Sequence, residues 1–250
     1  HNTTYTITVR SSTSVILASD TRLNYYDDVD LNGVKYQKIM AIADCIRKTF
    51  YLSSARVGIN FVGIGFFKDP KLGESTKYSI SHFISDLNEK KISGSAHDRF
   101  RLIFDYFSSL SEMNNISQYV KGVMVCFDKD SCYICSFNTI NNHFEIRKMN
   151  VGDFTDSEEN HKPFPQKRED IIKEINLRIN QESTKRPWSI GGPVEILELL
   201  PDGTGKYLQA SNCLFEGTSQ EILNYLNCDI KRINGRILNP PVLEKYNLKN

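Results

Sequence analysis

The chain opens with Thr3-Thr4-Tyr5-Thr6-Ile7-Thr8-Val9-Arg10, passes through a serine-rich turn, and returns as Val15-Ile16-Leu17-Ala18-Ser19-Asp20. Tyr5, Ile7 and Val9 alternate with polar residues, which is typical of a strand that buries one face. The apolar return segment predicts the second strand of a hairpin. Such a hairpin brings a pair of threonine hydroxyls close to the carboxylate of Asp20.

The overall composition is that of an ordinary globular protein. The 250 residues are 40% hydrophobic and 24% charged, with a formal net charge of +1, which suits one large domain or one domain with an appendage. The balanced charge lacks the excess of basic residues that is typical of proteins that bind nucleic acid or a membrane surface. No apolar run approaches the roughly 20 residues of a membrane span. We therefore expect neither nucleic acid nor a membrane as a partner.

The cysteines and histidines indicate neither a disulfide framework nor a metal site. The six cysteines are sparse, and most lie in apolar strand-like segments, where a free thiol behaves as a small hydrophobe. Cys132-Tyr-Ile-Cys135 lies in a strand pattern that points its two thiols to opposite faces, and the five histidines lack ligand spacing. We therefore predict a reduced, cytoplasmic protein with no metal and no organic cofactor.

Further along the chain, strand patterns alternate with helical ones. Strands are predicted at 34–42, 56–62, 122–127, 132–137, 143–149 and 194–200, and helices at about 76–88, from Ser95 onward, at 167–181 and at 218–225. Ser95-Ala-His-Asp98 has the form of a capping box. Segment 24–32, which is acidic and aromatic, predicts a loop or an irregular hairpin. Hairpin-length connections favour antiparallel sheets, so the pattern predicts an α+β fold with helices layered over such sheets.

A hydroxyl of the threonine pair can act as a nucleophile only if a base lies beside it. An α-amine, with a pKa near 8, can be that base when it belongs to the same residue. A nearby lysine ammonium favours the neutral amine, a carboxylate holds the lysine in place, and a backbone N–H from a glycine turn stabilises an oxyanion. The candidates are Thr4 or Thr3 as the nucleophile, with Asp20, Lys38 and Gly63 in the supporting roles.

The order of these motifs resembles that of proteasome β-type subunits and bacterial proteasome-like peptidases, in the N-terminal nucleophile hydrolase superfamily. The resemblance covers residues 3 to 210. It rests on the threonine pair, the strand ending in Ala18-Ser19-Asp20, Lys38-Ile39, Val62-Gly63-Ile64-Gly65, and Trp188 to Glu195 followed by Pro201-Asp202-Gly203. It implies a four-layer αββα sandwich of two antiparallel sheets between helix layers. It also implies a threonine peptidase that acts on peptides or unfolded proteins and assembles into homo-oligomeric rings; an ATPase partner is left open.

The resemblance assigns roles to individual residues. Thr4 lies sixteen residues before Asp20, which is the family's spacing, and Thr3 fits if the first strand contains a one-residue bulge. Asp20 matches the partner of the catalytic lysine. Lys38 matches that lysine if segment 24–32 holds a two-residue insertion, with Lys35 as the fallback. The remaining matches are Gly63, as the oxyanion glycine, and Ser189, as the serine beside the nucleophile's amine.

Some features depart from the family pattern. Lys185-Arg-Pro187 stands where the family has an aspartate, Ile190 separates Ser189 from the following glycines, and His1-Asn2 precedes the threonines. These departures favour, as an alternative, a catalytically inactive structural or assembly subunit. An N-terminal nucleophile amidase acting on small amides is a third possibility. We expect residues 1–210 to form the hydrolase-like domain and 211–250 to form a C-terminal extension used in assembly.

Overall fold

The computed structural model describes residues 4–63, 66–73, 77–115, 119–212 and 235–245. Within these ranges the chain is rich in strands and has three helices, α1 (Ile80–Asn88), α2 (Ala96–Met113) and α3 (Arg168–Lys185). The strands are β1 (Thr6–Arg10), β2 (Val15–Ser19), β3 (Leu23–Leu31), β4 (Val34–Ala43), β5 (Thr49–Leu52), β6 (Val57–Phe61), β7 (Phe67–Lys68), β8 (Lys77–Tyr78), β9 (Lys121–Asp128), β10 (Ser131–Asn138), β11 (His143–Lys148), β12 (Phe154–Asp156), β13 (Glu195–Leu199), β14 (Gly205–Gln209) and β15 (Gly235–Lys245).

The predicted opening hairpin is confirmed and forms the centre of the first sheet. β1 and β2 pair antiparallel, with Thr6 opposite Ser19 and Arg10 opposite Val15. The strand order of this sheet is β12-β1-β2-β13-β14. Both neighbours of the hairpin are antiparallel to it, so the start of β1 and the end of β2 lie side by side within one sheet.

The second sheet contains the predicted meander. Its strand order is β11-β10-β9-β6-β5, and each neighbouring pair is antiparallel. β5 was not predicted, because its four residues are too few for a clear alternating pattern. It pairs with β6, with Thr49 opposite Asn60, and this pairing anchors the residues that immediately precede it.

Within the part of the chain that the structure describes, apolar side chains form three separate cores. The first joins one face of the first sheet to α3 through residues such as Ile7, Ile16 and Ile175. The second joins the first sheet to the second through Leu17, Leu197 and Val125, among others. The third packs α1 and α2 on the second sheet and contains most of the buried phenylalanines. Both five-stranded sheets therefore bury side chains on both faces.

Of the loop or irregular hairpin expected at 24–32, the structure shows a hairpin, which belongs to a third sheet. Residues 24–31 lie in β3, which pairs with β4 from Leu23 opposite Ala43 to Leu31 opposite Val34, with a register shift between Tyr25 and Tyr26. The acidic residues of β3 are exposed because this hairpin extends beyond the three cores. The strand order is β15-β4-β3, so residues 235–245 of the expected C-terminal extension are a strand of this sheet.

The three described helices were predicted with small errors at their ends. The capping box that begins α2 is present: Ser95 Oγ accepts from the backbone N–H of Asp98, and the Asp98 side chain accepts from that of Ser95. The short strand β12, Phe154–Asp156, is not among the predicted strands. The helix predicted at 218–225 lies outside the described residues. None of the described helices has the length and apolar character of a membrane span.

The expectation of fully reduced cysteines is wrong for Cys45, which is disulfide-bonded; its partner is not among the described residues. Cys126, Cys132 and Cys135 are free and buried. Burial raises the pKa of each of these three thiols to about 12. A thiol of this kind is inert, since the thiolate is the reactive form.

Alkylation of the native protein by iodoacetamide at pH 8 should therefore leave Cys126, Cys132 and Cys135 unmodified. With a pKa of about 12, only about one thiol in ten thousand is ionised at this pH. After unfolding in guanidinium chloride, all three should react, while Cys45 should react only once a reductant has been added. Peptide mass mapping checks each site. Rapid modification of any of the three in the folded protein would contradict their burial.

Candidate active site

Thr4 lies at the start of β1 and is buried, with 1% of its surface exposed. The backbone N–H of Gly63, which follows β6, points to Thr4 Oγ1 at 3.4 Å. Gly63 has a φ of +75°, a conformation that favours glycine. The backbone of β6 therefore ends in a turn that directs an N–H at the threonine hydroxyl. Thr3, the alternative nucleophile, lies outside the described residues.

Asp20, which directly follows β2, is fully buried and accepts hydrogen bonds through both oxygens. Its Oδ1 accepts from the backbone N–H of Tyr5 at 3.0 Å, next to Thr4. Its Oδ2 accepts from the N–H groups of Gly191 at 3.1 Å and Arg22 at 3.3 Å. A buried carboxylate is tolerated only when it is paired and hydrogen-bonded, and Asp20 meets that condition.

The ammonium that pairs with Asp20 belongs to Lys48, which immediately precedes β5. Its Nζ lies 2.9 Å from Asp20 Oδ1 and 2.7 Å from the carbonyl oxygen of Arg22, and the side chain is fully buried. Burial lowers the pKa of Lys48, while the charge and hydrogen bond of Asp20 oppose that shift. An ion pair in this position is expensive to desolvate and strongly destabilising to break.

Lys38, the lysine expected beside Asp20, does not lie there. It is in the middle of β4, opposite Asp27 of β3 and Leu243 of β15. Its fallback Lys35 lies near the turn of the same hairpin, opposite Asp30. The β3–β4 hairpin is longer than the expected two-residue insertion, so that 28 positions separate Asp20 from its partner lysine.

Two further ion pairs hold the segment that leads to Lys48. Arg22 binds Asp44 through two nitrogens, at 2.7 and 3.0 Å. Arg47 binds Glu195 in the same bidentate way, at 3.1 and 2.8 Å. Paired guanidinium–carboxylate contacts fix orientation as well as distance. The segment that ends in Lys48 is therefore tied to the residues after β2 and to the start of β13.

A buried polar network joins the two sheets directly beneath the ion pair. Ser19 Oγ contacts Thr49 Oγ1 at 2.7 Å, and Thr49 Oγ1 donates to Asn60 Oδ1 at 2.6 Å. Asn60 Nδ2 then donates to the carbonyl of Ile7 at 3.0 Å and to Thr8 Oγ1 at 3.1 Å. Because Ser19 precedes Asp20 and Thr49 follows Lys48, the network fixes the ends of the two strands that carry the pair.

Ser189, predicted beside the nucleophile's amine, is fully buried, and its Oγ donates to Glu244 Oε2 at 3.1 Å. Its described contacts do not include Thr4. The serine that does contact Thr4 is Ser157, whose Oγ donates to the Thr4 carbonyl at 3.4 Å and accepts from the Thr6 N–H at 2.9 Å. Sequence reasoning missed Ser157, since it follows a three-residue strand inside an apparently irregular segment.

Lys48 was also missed, although a signal was present. Ile46-Arg47-Lys48-Thr49 leads into the apolar run Phe50-Tyr51-Leu52, so the lysine stands at the entry of a strand. The arrangement as a whole joins a hydroxyl, an ammonium–carboxylate pair and a backbone donor near the start of β1. Among the described residues, no group of histidine, cysteine and acidic side chains has the arrangement of a metal site.

No protein-family model and no curated protein matches the chain. Anbu, described as an ancestral beta-subunit, from Yersinia bercovieri superposes with a TM-score of 0.51 over 82% of this chain and 87% of that chain, at 8% identity. A Gly-1 mutant of Anbu from Hyphomicrobium sp. strain MC1 gives 0.46 over 83% and 88%, at 11% identity.

These comparisons correct the family suggested by the sequence. Assignment to the proteasome β-type subunits or the bacterial proteasome-like peptidases is wrong, because no family model or curated relative supports it and the structural likeness is to Anbu at very low identity. The chain shares the fold of Anbu from Yersinia bercovieri. A shared fold does not by itself assign an activity to the chain.

Replacing Lys48 with methionine should lower the free energy of unfolding by about 3–5 kcal/mol, because it leaves the buried Asp20 without its cation. Lys38→Met is the matched control. It removes the same charge from a partly exposed strand position and should change stability by no more than about 0.5 kcal/mol. Equilibrium unfolding in urea measures both values. Equal stability of the two variants would show that the Lys48 pair does not support the fold.

Proposed function

We propose that the chain is a threonine-nucleophile amidohydrolase whose active form begins at Thr4 and whose substrate is a peptide bond in a peptide or an unfolded protein. The supporting observation is the convergence of contacts on Asp20. One carboxylate oxygen accepts the backbone N–H next to Thr4 and also binds the ammonium of Lys48. The nucleophile candidate is thereby coupled, through a single carboxylate oxygen, to an ammonium, and a cation near an amine favours the neutral form of that amine.

In this proposal Thr4 supplies both the nucleophile and the base. Its Oγ attacks the substrate carbonyl carbon while its own α-amine takes the hydroxyl proton. The Gly63 N–H, which already points to Thr4 Oγ1, stabilises the negative charge that develops on the carbonyl oxygen. The amine then returns the proton to the leaving nitrogen as the carbon–nitrogen bond breaks, and water hydrolyses the resulting ester.

The contacts of Thr4 support it as the nucleophile. Gly63 and Ser157 both contact Thr4, and the Asp20 carboxylate anchors the residue that follows it. In a chain that starts at His1, the α-amine belongs to His1, so the activity requires cleavage of the peptide bond between Thr3 and Thr4. A chain that retains residues 1–3 is inactive in this proposal.

The second candidate is a catalytically inactive structural subunit with the same fold. The burial of Thr4, of which 1% is exposed, favours it. It predicts that exposing the amine of Thr4 creates no reactivity. An amidase specific for small amides is separated from a peptidase by comparing turnover of short peptides and simple amides.

We also propose that the chain forms four layers, with α3, the two five-stranded sheets, and the α1–α2 pair stacked in that order. The three apolar cores support it, since each joins two successive layers.

The expectation of a cytoplasmic protein rested on reduced thiols, and the disulfide at Cys45 removes that support.

The proposed function predicts that a chain beginning at Thr4 forms a covalent adduct with a peptide epoxyketone, which needs a hydroxyl and a free amine on the same residue. Mass spectrometry should locate the adduct at Thr4. The chain beginning at His1 should not react, and Thr4→Val in the shortened chain should abolish the adduct. Lys48→Met should slow adduct formation, because it removes the cation whose charge favours the neutral amine.

Thr13→Val is the matched control for this series, because it removes an exposed hydroxyl from the β1–β2 turn. It should react as fast as the unsubstituted chain. Absence of any adduct in a correctly folded chain that begins at Thr4 would favour the structural subunit over the hydrolase.

A further inference from the structure

The C-terminal strand brings a carboxylate to the neighbourhood of the candidate active site. β15 pairs with β4, and this register places Glu244 opposite Gln37. From this position Glu244 Oε2 accepts the hydrogen bond of Ser189 Oγ at 3.1 Å. Since Ser189 is fully buried, loss of this acceptor would leave its hydroxyl without the partner that the structure gives it.

Ser189 begins a turn that contacts Asp20 on the side opposite Lys48. The N–H of Gly191 donates to Asp20 Oδ2 at 3.1 Å, and the carbonyl of Gly191 accepts from the N–H of Thr21 at 3.1 Å. Thr21 Oγ1 also donates to the carbonyl of Pro193 at 2.7 Å. The turn from Ser189 to Pro193 is therefore bound along its length to the residues that follow β2.

This turn packs closely against the residues that follow β2. A Cβ at Gly191 would lie 2.6 Å from the guanidinium carbon of Arg22, and one at Gly192 would lie 2.6 Å from Thr21 Oγ1. Gly192 also has a φ of +71°, where residues with a side chain are strained. Because the N–H and the carbonyl of Gly191 both bond to the residues that follow β2, a shift of the turn at Ser189 moves the N–H that Asp20 accepts.

We propose that Glu244 is a positioning residue of the candidate active site. By holding Ser189, it fixes the turn that supplies the Gly191 N–H to Asp20, and thereby the orientation of the carboxylate that binds Lys48. The strand β15 is then a necessary part of the site rather than an independent extension. This inference rests on the proposed function for its catalytic consequence, but not for its structural one.

The role depends on an acceptor oxygen and not on the negative charge. Glutamine presents a carboxamide oxygen in nearly the same position, so Glu244→Gln should keep the bond from Ser189. Alanine removes the acceptor. Leu243→Ala is the matched control on the same strand, because its side chain is half exposed and takes no part in these contacts.

The experiment uses the chain that begins at Thr4 and has two readouts. Hydrogen exchange of the Gly191 amide, followed by NMR, reports whether the turn still holds Asp20. The rate of epoxyketone adduct formation at Thr4 reports the catalytic consequence. Glu244→Ala should speed exchange of the Gly191 amide and slow adduct formation about 10-fold, the scale of leaving one buried hydroxyl without its acceptor. Glu244→Gln and Leu243→Ala should stay within about 2-fold of the unsubstituted chain.

Combining Ser189→Ala with Glu244→Ala should cause no further change, since both remove the same bond. The proposal is overturned if Glu244→Ala leaves the Gly191 exchange rate unchanged, if Glu244→Gln is as impaired as Glu244→Ala, or if the two alanine substitutions act additively. If the unsubstituted chain forms no adduct, the proposed function fails, while the exchange rates still decide whether Glu244 positions the turn.

Discussion

The buried contact between Lys48 and Asp20 is the constraint on which the rest of the site depends. Two charges removed from water are stable only if each satisfies the other and their remaining hydrogen-bonding capacity is filled. Asp20 accepts from Lys48 and from three backbone N–H groups, and Lys48 also donates to a backbone carbonyl. These partners come from four separate segments of the chain, so the pair can form only when those segments have assembled.

The two five-stranded sheets supply that assembly. The first carries Thr4 and Asp20 at the neighbouring ends of β1 and β2, and the second presents Lys48 and Gly63 at the ends of β5 and β6. The polar network from Ser19 through Thr49 to Asn60 crosses between the sheets where both strand ends meet. A network with all members satisfied in a low-dielectric interior specifies one arrangement, which explains how a site built from distant parts of the sequence stays in register.

Sequence reasoning succeeded where local pattern determines structure. The β1–β2 hairpin, the β9–β11 meander and the capping box of α2 all follow from alternation, turn residues and side-chain caps within a few positions. It placed Asp20 and Gly63 where the structure brings them towards Thr4, since both follow strands with clear patterns.

Sequence reasoning failed for Lys48 because the choice of lysine depended on the length of the segment between Asp20 and its lysine. An acidic hairpin that extends beyond the cores carries no strong alternating signal, so neither its length nor its pairing with residues 235–245 could be read from the sequence. The contacts of Ser157 and Glu244 arise from tertiary packing alone.

The fold and the proposed activity rest on different observations. Likeness to Anbu at 8% identity describes the arrangement of the chain, whereas the proposed chemistry follows from the contacts of Thr4, Asp20, Lys48 and Gly63. One departure noted in the sequence is seen in the structure, where the Ser189 hydroxyl donates to Glu244 of β15. The proposed active site requires the buried pair of Lys48 and Asp20 to be energetically coupled in the folded state.

A double-mutant cycle between Asp20 and Lys48 tests this most directly. The free energies of unfolding of Asp20→Asn, Lys48→Met and the double variant are compared with that of the unsubstituted chain. If the buried pair organises the site, the two substitutions should be non-additive by about 2 kcal/mol or more, because each single change leaves the other group buried without its partner. Additivity within about 0.5 kcal/mol would show that the two side chains do not depend on one another, and it would contradict the central claim.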